Sequence, residues 1–367
     1  MSFGLKSFKK QKDESKHSEG RKHIPTVIIG HDLAAVLKLV ELKDTLSPEN
    51  LRLITPRFLT RQGLVETYQA GISTLRDNVT TLQIAGKFSH ARTVRYDHET
   101  QFAKEGQWQR FGGRAKPMEL APGEEYFQAP RQDLELSSLF SESDWQQLDE
   151  TLKAYQSVRI LEKLEKQAPT DLANRDEWWM LFHDLTEVTC SDLWLSLPAR
   201  QVMKASDQGQ TLPTEAAAWF ASVKRQAAIA LSWEMTKELH PEPRTLFVPQ
   251  SMTHEWGHFI LDVLPWDEAR QCHPLNGLIL LHDEEPTSEL MADKIKLCKR
   301  VFDRVFPDFE KHMRKEFILA SEDYFEWAPQ PDLAEALLIS VPSLHLLGAY
   351  ATATTTDKFL TRSLLTL

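Results

Sequence analysis

A stretch in the last third of the chain has the residue types and spacing of a zinc site. His254, Glu255 and His258 match the pattern H-E-x-x-H. On a helix the two histidines would lie one turn apart and could bind Zn²⁺ together, while the glutamate, acting as a base, would polarise a metal-bound water. The chemistry that these three residues predict is hydrolysis by a zinc metallopeptidase.

The third ligand of such a site would be Glu289, because the run ELMAD that begins there resembles the helix that supplies this ligand in gluzincins. The same motif also fits a strand, since Trp256 and its apolar neighbours favour β structure. In a strand His254 and His258 would lie about 13 Å apart and would share no metal. Two interpretations therefore stand side by side: a strand without a metal, and a zinc site built on these residues.

A second candidate site is the turn GHDLAA at residues 30–35. Its spacing is that of the fingerprint G-x-G-x-x-G/A, in which glycines let the backbone approach a pyrophosphate at a helix N-terminus. Gly30 supplies the first glycine and Ala35 is permitted at the third position, but Asp32 replaces the middle glycine. The candidate cofactor-binding residues at this turn are Gly30, His31, Asp32 and Ala35.

The elements around the turn are typical of the first βα unit of a dinucleotide-binding fold. Residues 26–29 (TVII) are apolar and largely β-branched, which predicts a strand buried on both faces. Asp32 can cap the helix that follows, whose apolar residues fall on one face. A second strand is predicted at residues 51–55, but it leads into Thr55-Pro56-Arg57, where such folds place an acidic residue for the ribose.

Hydrophobic periodicity predicts the remaining elements. A hairpin is predicted within residues 92–111, turning at Glu105-Gly106. Helices are predicted at residues 143–167, where Ser143 and Gln146 form a capping box, and at residues 177–195, 214–239 and 288–305. Strands are predicted at residues 245–248, 257–264, 277–281 and 344–347, the last of them followed by Gly348.

The two ends of the chain together resemble two-domain flavoproteins of the amine-oxidase and phytoene-desaturase type. In that family a late strand with the pattern VPGLFLAGD precedes a helix, and here residues 341–350 are VPSLHLLGAY. The predicted hairpin and the run Ala129-Pro130-Arg131 are also similar to the middle region of that family. The resemblance covers roughly the first third and the last tenth of the chain well.

This resemblance implies an α/β protein with a Rossmann-like FAD/NAD(P)-binding core that both ends of the chain build. The core would comprise residues 24–90 and 335–367, and residues 91–334 would form a substrate-like domain with a mixed sheet and a helical insertion. Residues 1–23 are polar and Lys-rich, which predicts a disordered basic tail.

The departures from the family pattern all fall on the cofactor. The resemblance places Gly348 and Ala349 at the family's late GD pair, near the flavin, so the aspartate is missing there. At the first turn Asp32 brings a carboxylate to the pyrophosphate position, where like charges about 4 Å apart repel by about 1 kcal/mol in water and more at lower dielectric. We therefore expect a divergent flavin-dependent oxidoreductase-like protein with weakened or lost FAD binding. Two roles stay open for it, a non-catalytic accessory or binding protein and an enzyme with altered cofactor use, and no catalytic residues are assigned.

Composition narrows the class of protein further. The chain has 367 residues, 41% of them hydrophobic, and a net charge of -10, which favours a globular protein and gives no support for nucleic-acid binding. No apolar run reaches the roughly 18 residues that a transmembrane helix needs. The cysteines at 190, 272 and 298 form no CxxC and suit a reducing cytoplasm. The partner is expected to be a small molecule or a protein of unknown identity.

Overall fold

The computed structural model describes residues 22–56, 60–61, 92–96, 100–104, 107–110, 131–135, 138–153, 155–164, 177–240, 243–248, 258–281, 287–327, 337 and 339–347. The strands are β1 (Lys22–His23), β2 (Thr26–Gly30), β3 (Leu51–Ile54), β4 (Arg92–Tyr96), β5 (Thr100–Lys104), β6 (Gln107–Arg110), β7 (Arg131–Glu135), β8 (Val158–Leu164), β9 (Glu177–Phe182), β10 (Glu187–Cys190), β11 (Asp192–Ser196), β12 (Lys224–Met235), β13 (Arg244–Val248), β14 (His258–Val263), β15 (His273–Leu281), β16 (Met313–Trp327) and β17 (Leu344–Leu346). The α-helices are α1 (Leu33–Lys43), α2 (Glu142–Lys153), α3 (Ala199–Ala205), α4 (Thr214–Ser222) and α5 (Ser288–Val305), and a 3-10 helix spans Glu310–His312.

A four-stranded parallel sheet contains the first strand of the predicted βα unit. Its order is β17-β11-β2-β3, and every neighbouring pair is parallel. Strands β2 and β17 therefore lie in one sheet although they come from opposite ends of the chain, as the sequence predicts. Strand β11 lies between them and comes from the middle of the chain, within residues 91–334. The division of the chain into domains remains a prediction.

Strand β2 is buried on both faces, which its unbroken apolar run predicts. Val27 and Ile29 pack into a core between the parallel sheet and the layer that contains β8–β10, α3 and α4. Ile28 points to the opposite side, into a second core with residues of α1 and α2. All five residues of the strand are buried. The strand therefore fixes the turn at its end between two packed layers.

A second sheet has the order β1-β10-β9-β8, and its last three strands are antiparallel. The helix predicted at residues 177–195 is wrong, because these residues form β9, β10 and β11. Burial alternates along β9, where Trp178, Met180 and Phe182 are buried. Trp179 and Leu181, which lie between them, are also aromatic or apolar. The sequence of β9 therefore does not alternate between polar and apolar residues, which is the pattern that predicts a strand. Lys22 and His23 form β1, so these two residues of the predicted tail are ordered beside β10.

A seven-stranded sheet has the order β16-β12-β15-β14-β13-β5-β6. The predicted strands β13, β14 and β15 are confirmed, as are helix α5 and the antiparallel pairing of β5 with β6. The helix predicted at residues 214–239 is wrong after Ser222, because β12 begins at Lys224. Residues 227–231 of β12 are all buried, so the sequence carries no period-two pattern there that would distinguish a strand from a helix. Ile229, Leu231 and Trp233 share a core with residues of α5. Strand β16 was not predicted.

The helix predicted at residues 143–167 is half correct. Helix α2 ends at Lys153, and residues 158–164 form β8. The predicted capping box also lies two residues too late, because Ser141 accepts a hydrogen bond from the backbone N–H of Asp144 at 3.1 Å. Asp144 and Ser141 at the N-terminus of α2 satisfy backbone N–H groups that have no partner within the helix.

Candidate functional site

The carboxyl edge of the parallel sheet carries the candidate cofactor residues. Strands β2 and β11 are in register there, with Gly30 opposite Ser196. Strand β3 ends beside them and leads to Thr55, and the end of β17 lies on the far side of β11. In open α/β sheets ligands bind outside the carboxyl ends of the strands, so this edge is the place to test for a cofactor.

Asp32 is the N-cap of α1, as the sequence predicts. Its backbone is extended, with φ -108° and ψ 176°. One carboxylate oxygen, Oδ1, accepts a hydrogen bond from the backbone N–H of Ala35 at 3.0 Å. The other, Oδ2, accepts from the hydroxyl of Ser196 at 2.6 Å. The residue is 2% exposed, so the carboxylate is enclosed between the helix and β11.

Gly30 is required here by the close approach of three elements. A Cβ at this position would lie 2.7 Å from Cβ of Ser196 and 2.8 Å from Cβ of Ala35. The backbone oxygen of Ser196 would be 3.2 Å away. Gly30 and Ala35 thus act in the packing of β2, α1 and β11, which is one of the roles that small residues have in the fingerprint.

The structure brings four of the predicted site residues together and leaves two outside its described part. Gly30, Asp32 and Ala35 are in contact around one turn, and His31 of the same turn is half-buried. Gly348 and Ala349 lie outside the described residues. The sequence argument missed Ser196, whose only signal was a hydroxyl at the end of the short run DLWLS, just before Leu197-Pro198.

The residues of this turn do not fit the pyrophosphate of FAD. A bound pyrophosphate would use backbone N–H groups and the positive end of the helix dipole. In this chain the carboxylate of Asp32 accepts hydrogen bonds from the backbone N–H of Ala35, in the first turn of α1, and from the hydroxyl of Ser196. A pyrophosphate at this helix N-terminus would meet a carboxylate that already uses one of the N–H groups, and like charges repel.

The end of β3 also lacks the group that would bind a ribose. Thr55 follows the strand and is 0% exposed. Its carbonyl accepts a hydrogen bond from the backbone N–H of Gln156 at 2.9 Å, which ties the strand to the segment before β8. Thr55 is thus a buried residue that connects β3 to the segment before β8. It is not an acidic side chain that could bind a ribose.

The position of β17 is fixed by hydrogen bonds to the preceding residue. The hydroxyl of Ser343 accepts from Nζ of Lys163 at 2.6 Å and from Nε1 of Trp178 at 3.1 Å. The ammonium of Lys163 also lies 4.9 Å from the centre of the Trp178 ring, a cation–π contact. These contacts hold the start of the last strand in place.

The helical zinc interpretation is not supported at the residues that the structure describes. His258 is the first residue of β14, paired with Leu280, so no helix runs through it. Glu289 lies in the first turn of α5. His254 and Glu255 lie outside the described residues. In the described part of the chain no group of three His, Cys, Asp or Glu residues could hold a metal ion.

The cysteines offer no nucleophile. Cys190, Cys272 and Cys298 are free and buried. Burial raises the pKa of each thiol, most strongly for Cys190 and Cys298. Since the thiolate is the reactive form, these side chains are inert packing residues.

No protein-family model and no curated protein matches the chain, whereas several solved structures are similar to it in fold. Among solved structures, a variant of putrescine oxidase with redesigned cofactor binding matches with a TM-score of 0.56 and 9% identity, over 94% of this chain and 97% of that one. Wild-type putrescine oxidase bound to putrescine matches with a TM-score of 0.52 and 9% identity, over 93% and 97% of the two chains.

A fatty acid isomerase from P. acnes, described as producing CLA, matches with a TM-score of 0.55 and 9% identity. The match covers 93% of this chain and 97% of that one. At these identities the likeness concerns the fold alone. No helix in the described residues is long and apolar enough to cross a membrane. The chain is a mixed α/β protein with several sheets and an amine-oxidase-like fold, so the fold-level part of the resemblance is confirmed.

Proposed function

We propose that this protein is a divergent flavin-oxidoreductase-like protein in which FAD binding is weakened or lost, and that it acts as a non-catalytic accessory or binding protein. The Rossmann-like core of such proteins would be the parallel sheet with α1. The observation that carries the proposal is the carboxylate of Asp32, which caps α1 and accepts the hydroxyl of Ser196 at 2.6 Å.

Two further features support the loss of the cofactor. The cap is buried, so the charge cannot turn into solvent without opening the contact between β2, α1 and β11. The sequence also lacks the acidic residue after β3 and the aspartate at position 349. Fold likeness to oxidases makes an oxidoreductase ancestry the simplest account, but fold does not imply function.

The absorption spectrum and metal content of the purified protein test the proposal directly. We expect no flavin bands and less than stoichiometric zinc. Flavin bands would restore an oxidoreductase with bound cofactor. Stoichiometric zinc that is lost in His258→Ala would restore the metallopeptidase alternative.

A titration with FAD tests the role of the turn. Asp32→Gly removes the carboxylate that would repel the pyrophosphate of FAD. Loss of a repulsion of about 1 kcal/mol corresponds to about a fivefold gain in affinity for FAD. Ala349→Asp should add to this gain, so the double variant should bind FAD more tightly than either single variant. Flavin fluorescence measures the affinity. Asp44→Gly is the matched control, because it removes the same charge from the exposed C-terminal end of the same helix.

Two results would overturn the account of the turn. Wild-type protein with tight FAD binding would show that the carboxylate does not exclude the pyrophosphate. A double variant that binds no better than Asp44→Gly would show that Asp32 is irrelevant to the cofactor.

A further inference from the structure

His273, the first residue of β15, is a buried histidine with two backbone partners. It is 0% exposed. Its Nδ1 accepts a hydrogen bond from the backbone N–H of Leu239 at 2.8 Å. Its Nε2 lies 2.7 Å from the carbonyl oxygen of Leu264, which can only accept. The hydrogen therefore resides on Nε2, and the ring that fits this site is the neutral imidazole.

These two partners lie in different connections between strands of the seven-stranded sheet. Strands β12 and β13 are consecutive in sequence, but β15 and β14 lie between them in the sheet. The chain that leaves β12 must therefore cross the ends of those two strands. We call residues 236–240 the crossing segment. Leu239 lies within it, while Leu264 follows directly after β14, so the imidazole joins the crossing segment to the sheet end that it crosses.

We propose that His273 is an acid-sensitive clasp, which holds the crossing segment on the sheet while its imidazole is neutral and releases it on protonation. Protonation adds a hydrogen to Nδ1, the atom that accepts from Leu239. Two donors then face each other in a buried site, and a positive charge is enclosed as well. Each of these costs free energy in the closed state only, because in the open state water solvates both groups.

The surroundings of the clasp act on this equilibrium in known directions. Burial lowers the pKa of His273, and this effect outweighs the hydrogen bond to Leu264 and the carboxylate of Glu238, which both raise it. His240 lowers the pKa of His273 further when it is charged. Glu238 and His240 both belong to the crossing segment and act on the pKa of His273 in opposite directions. Lys237 is the third charged group of the segment.

The neighbouring charged groups of the sheet end are paired with one another. In the loop between β14 and β15, Nε of Arg270 lies 2.6 Å from a carboxylate oxygen of Asp267. Glu234, near the end of β12, pairs with Arg314 at 2.9 Å. Burial is the largest influence on the pKa of His273.

The sign of the pH dependence follows from the lowered pKa of His273. The open state titrates near the ordinary histidine value of about 6.5, and the closed state titrates below it. The clasp is therefore fully closed above that value and weakens as the pH falls. Between the two pKa values the opening equilibrium should rise by up to about tenfold per pH unit.

Hydrogen exchange of the crossing segment measures this opening. Peptides that cover residues 236–240 are compared between pH 7.5 and pH 5, after correction for the intrinsic exchange rate. We expect faster corrected exchange in acid for the wild-type protein. His273→Gln keeps one donor and one acceptor but does not titrate, so its exchange should be independent of pH. His183→Gln, at an exposed histidine in the turn between β9 and β10, should behave like wild type.

A titration of the histidine carbons by NMR, on protein with labelled histidine, tests the clasp without relying on the His273→Gln variant. The signal of His273 should show the Nε2–H tautomer and should titrate below about 6.5. Glu238→Gln removes the carboxylate that favours the imidazolium, so the midpoint should fall further. A His273 signal that titrates at or above the ordinary value, or acid-induced exchange that is equal in wild type and His273→Gln, would overturn the proposal.

Discussion

The parallel sheet and the seven-stranded sheet each bury one glycine against a close neighbour, but the neighbours differ in kind. At Gly30 an added Cβ would meet Cβ of Ser196 at 2.7 Å and Cβ of Ala35 at 2.8 Å. At Gly277 it would meet the outer ring atoms of Trp233 at 2.8 Å and 2.9 Å. In the first case the obstacle is fixed to the backbone of two elements. In the second it is the far end of a side chain.

The same difference extends to the polar groups of the two sheets. At the parallel sheet the hydroxyl of Ser196 donates to a carboxylate that also caps a helix. At the seven-stranded sheet the hydroxyl of Ser232 donates to the neutral amide oxygen of Asn276 at 3.0 Å. The first turn of the parallel sheet is thus closed by rigid atoms and by charge. A glycine position closed in this way admits no larger side chain, and the proposed loss of FAD binding rests on the carboxylate beside it.

The largest effect is expected from placing a methyl group at each glycine. Gly30→Ala should lower the free energy of unfolding by about 3 kcal/mol, because the strand, the helix or β11 must shift. Gly277→Ala should cost about 1–2 kcal/mol, because the Trp233 ring can move, although it packs edge-on against Phe302 and Phe309. Urea denaturation of both variants measures the difference. Equal losses of unfolding free energy would mean that the atoms around Gly30 move aside as easily as the Trp233 ring does. The difference between the two glycine sites would then not exist.

The turn at Gly30 could be predicted because its signals are local. The apolar run before it and the capping aspartate lie within residues 26–35, and each predicts its own conformation. Gly30 is needed for a different reason, the close approach of Ser196 and Ala35. Strand β11 could not be predicted in the same way. It is covered on both faces, so Trp194 and its neighbours are apolar on both sides and the period-two signal disappears.

The partner of the cap could not be predicted either, because Ser196 is 164 residues away from Asp32. A local pattern predicts that an aspartate caps a helix, but it contains no information on which strand will lie beside the cap. The HEWGH motif shows a different source of error, a local pattern that fits two structures. Its spacing satisfied a metal pattern, yet its aromatic and β-branched neighbours favoured the strand that is found from His258 onward.

An intermediate loss of unfolding free energy is expected from removing the hydroxyl groups of Ser196 and Ser232. Ser196→Ala should cost about 2 kcal/mol, because a buried carboxylate loses a charge-assisted hydrogen bond. Ser232→Ala should cost about 1 kcal/mol, since its partner is neutral. Thermal or urea unfolding of the two variants measures these losses. A double-mutant cycle between Asp32→Asn and Ser196→Ala should show coupling, and additive losses would show that the hydroxyl does not support the cap.

The smallest effect concerns pH and contrasts one histidine from each sheet. Burial lowers the pKa of His273 in the seven-stranded sheet. In the parallel sheet burial also lowers the pKa of His345, whose ring stacks on Trp194 at 4.1 Å, but Asp192 opposes this shift. A lowered pKa means that the unfolded chain binds the extra proton more readily. Stability from either residue is therefore complete above about pH 6.5 and is lost as the pH falls toward the folded-state value.

We expect the loss from His273 to approach, at most, about 1.4 kcal/mol per pH unit, and the loss from His345 to be smaller. Urea denaturation at pH 7.5, 6.0 and 5.0 measures both, because the carboxylates with lowered pKa values, such as Asp144 and Asp267, titrate only below this range. The pH dependence should flatten most in His273→Gln and less in His345→Gln. The reverse order would mean that a positive charge on His345 costs more in the folded state than one on His273. The proposed contrast between the two sheets would then be wrong for their histidines.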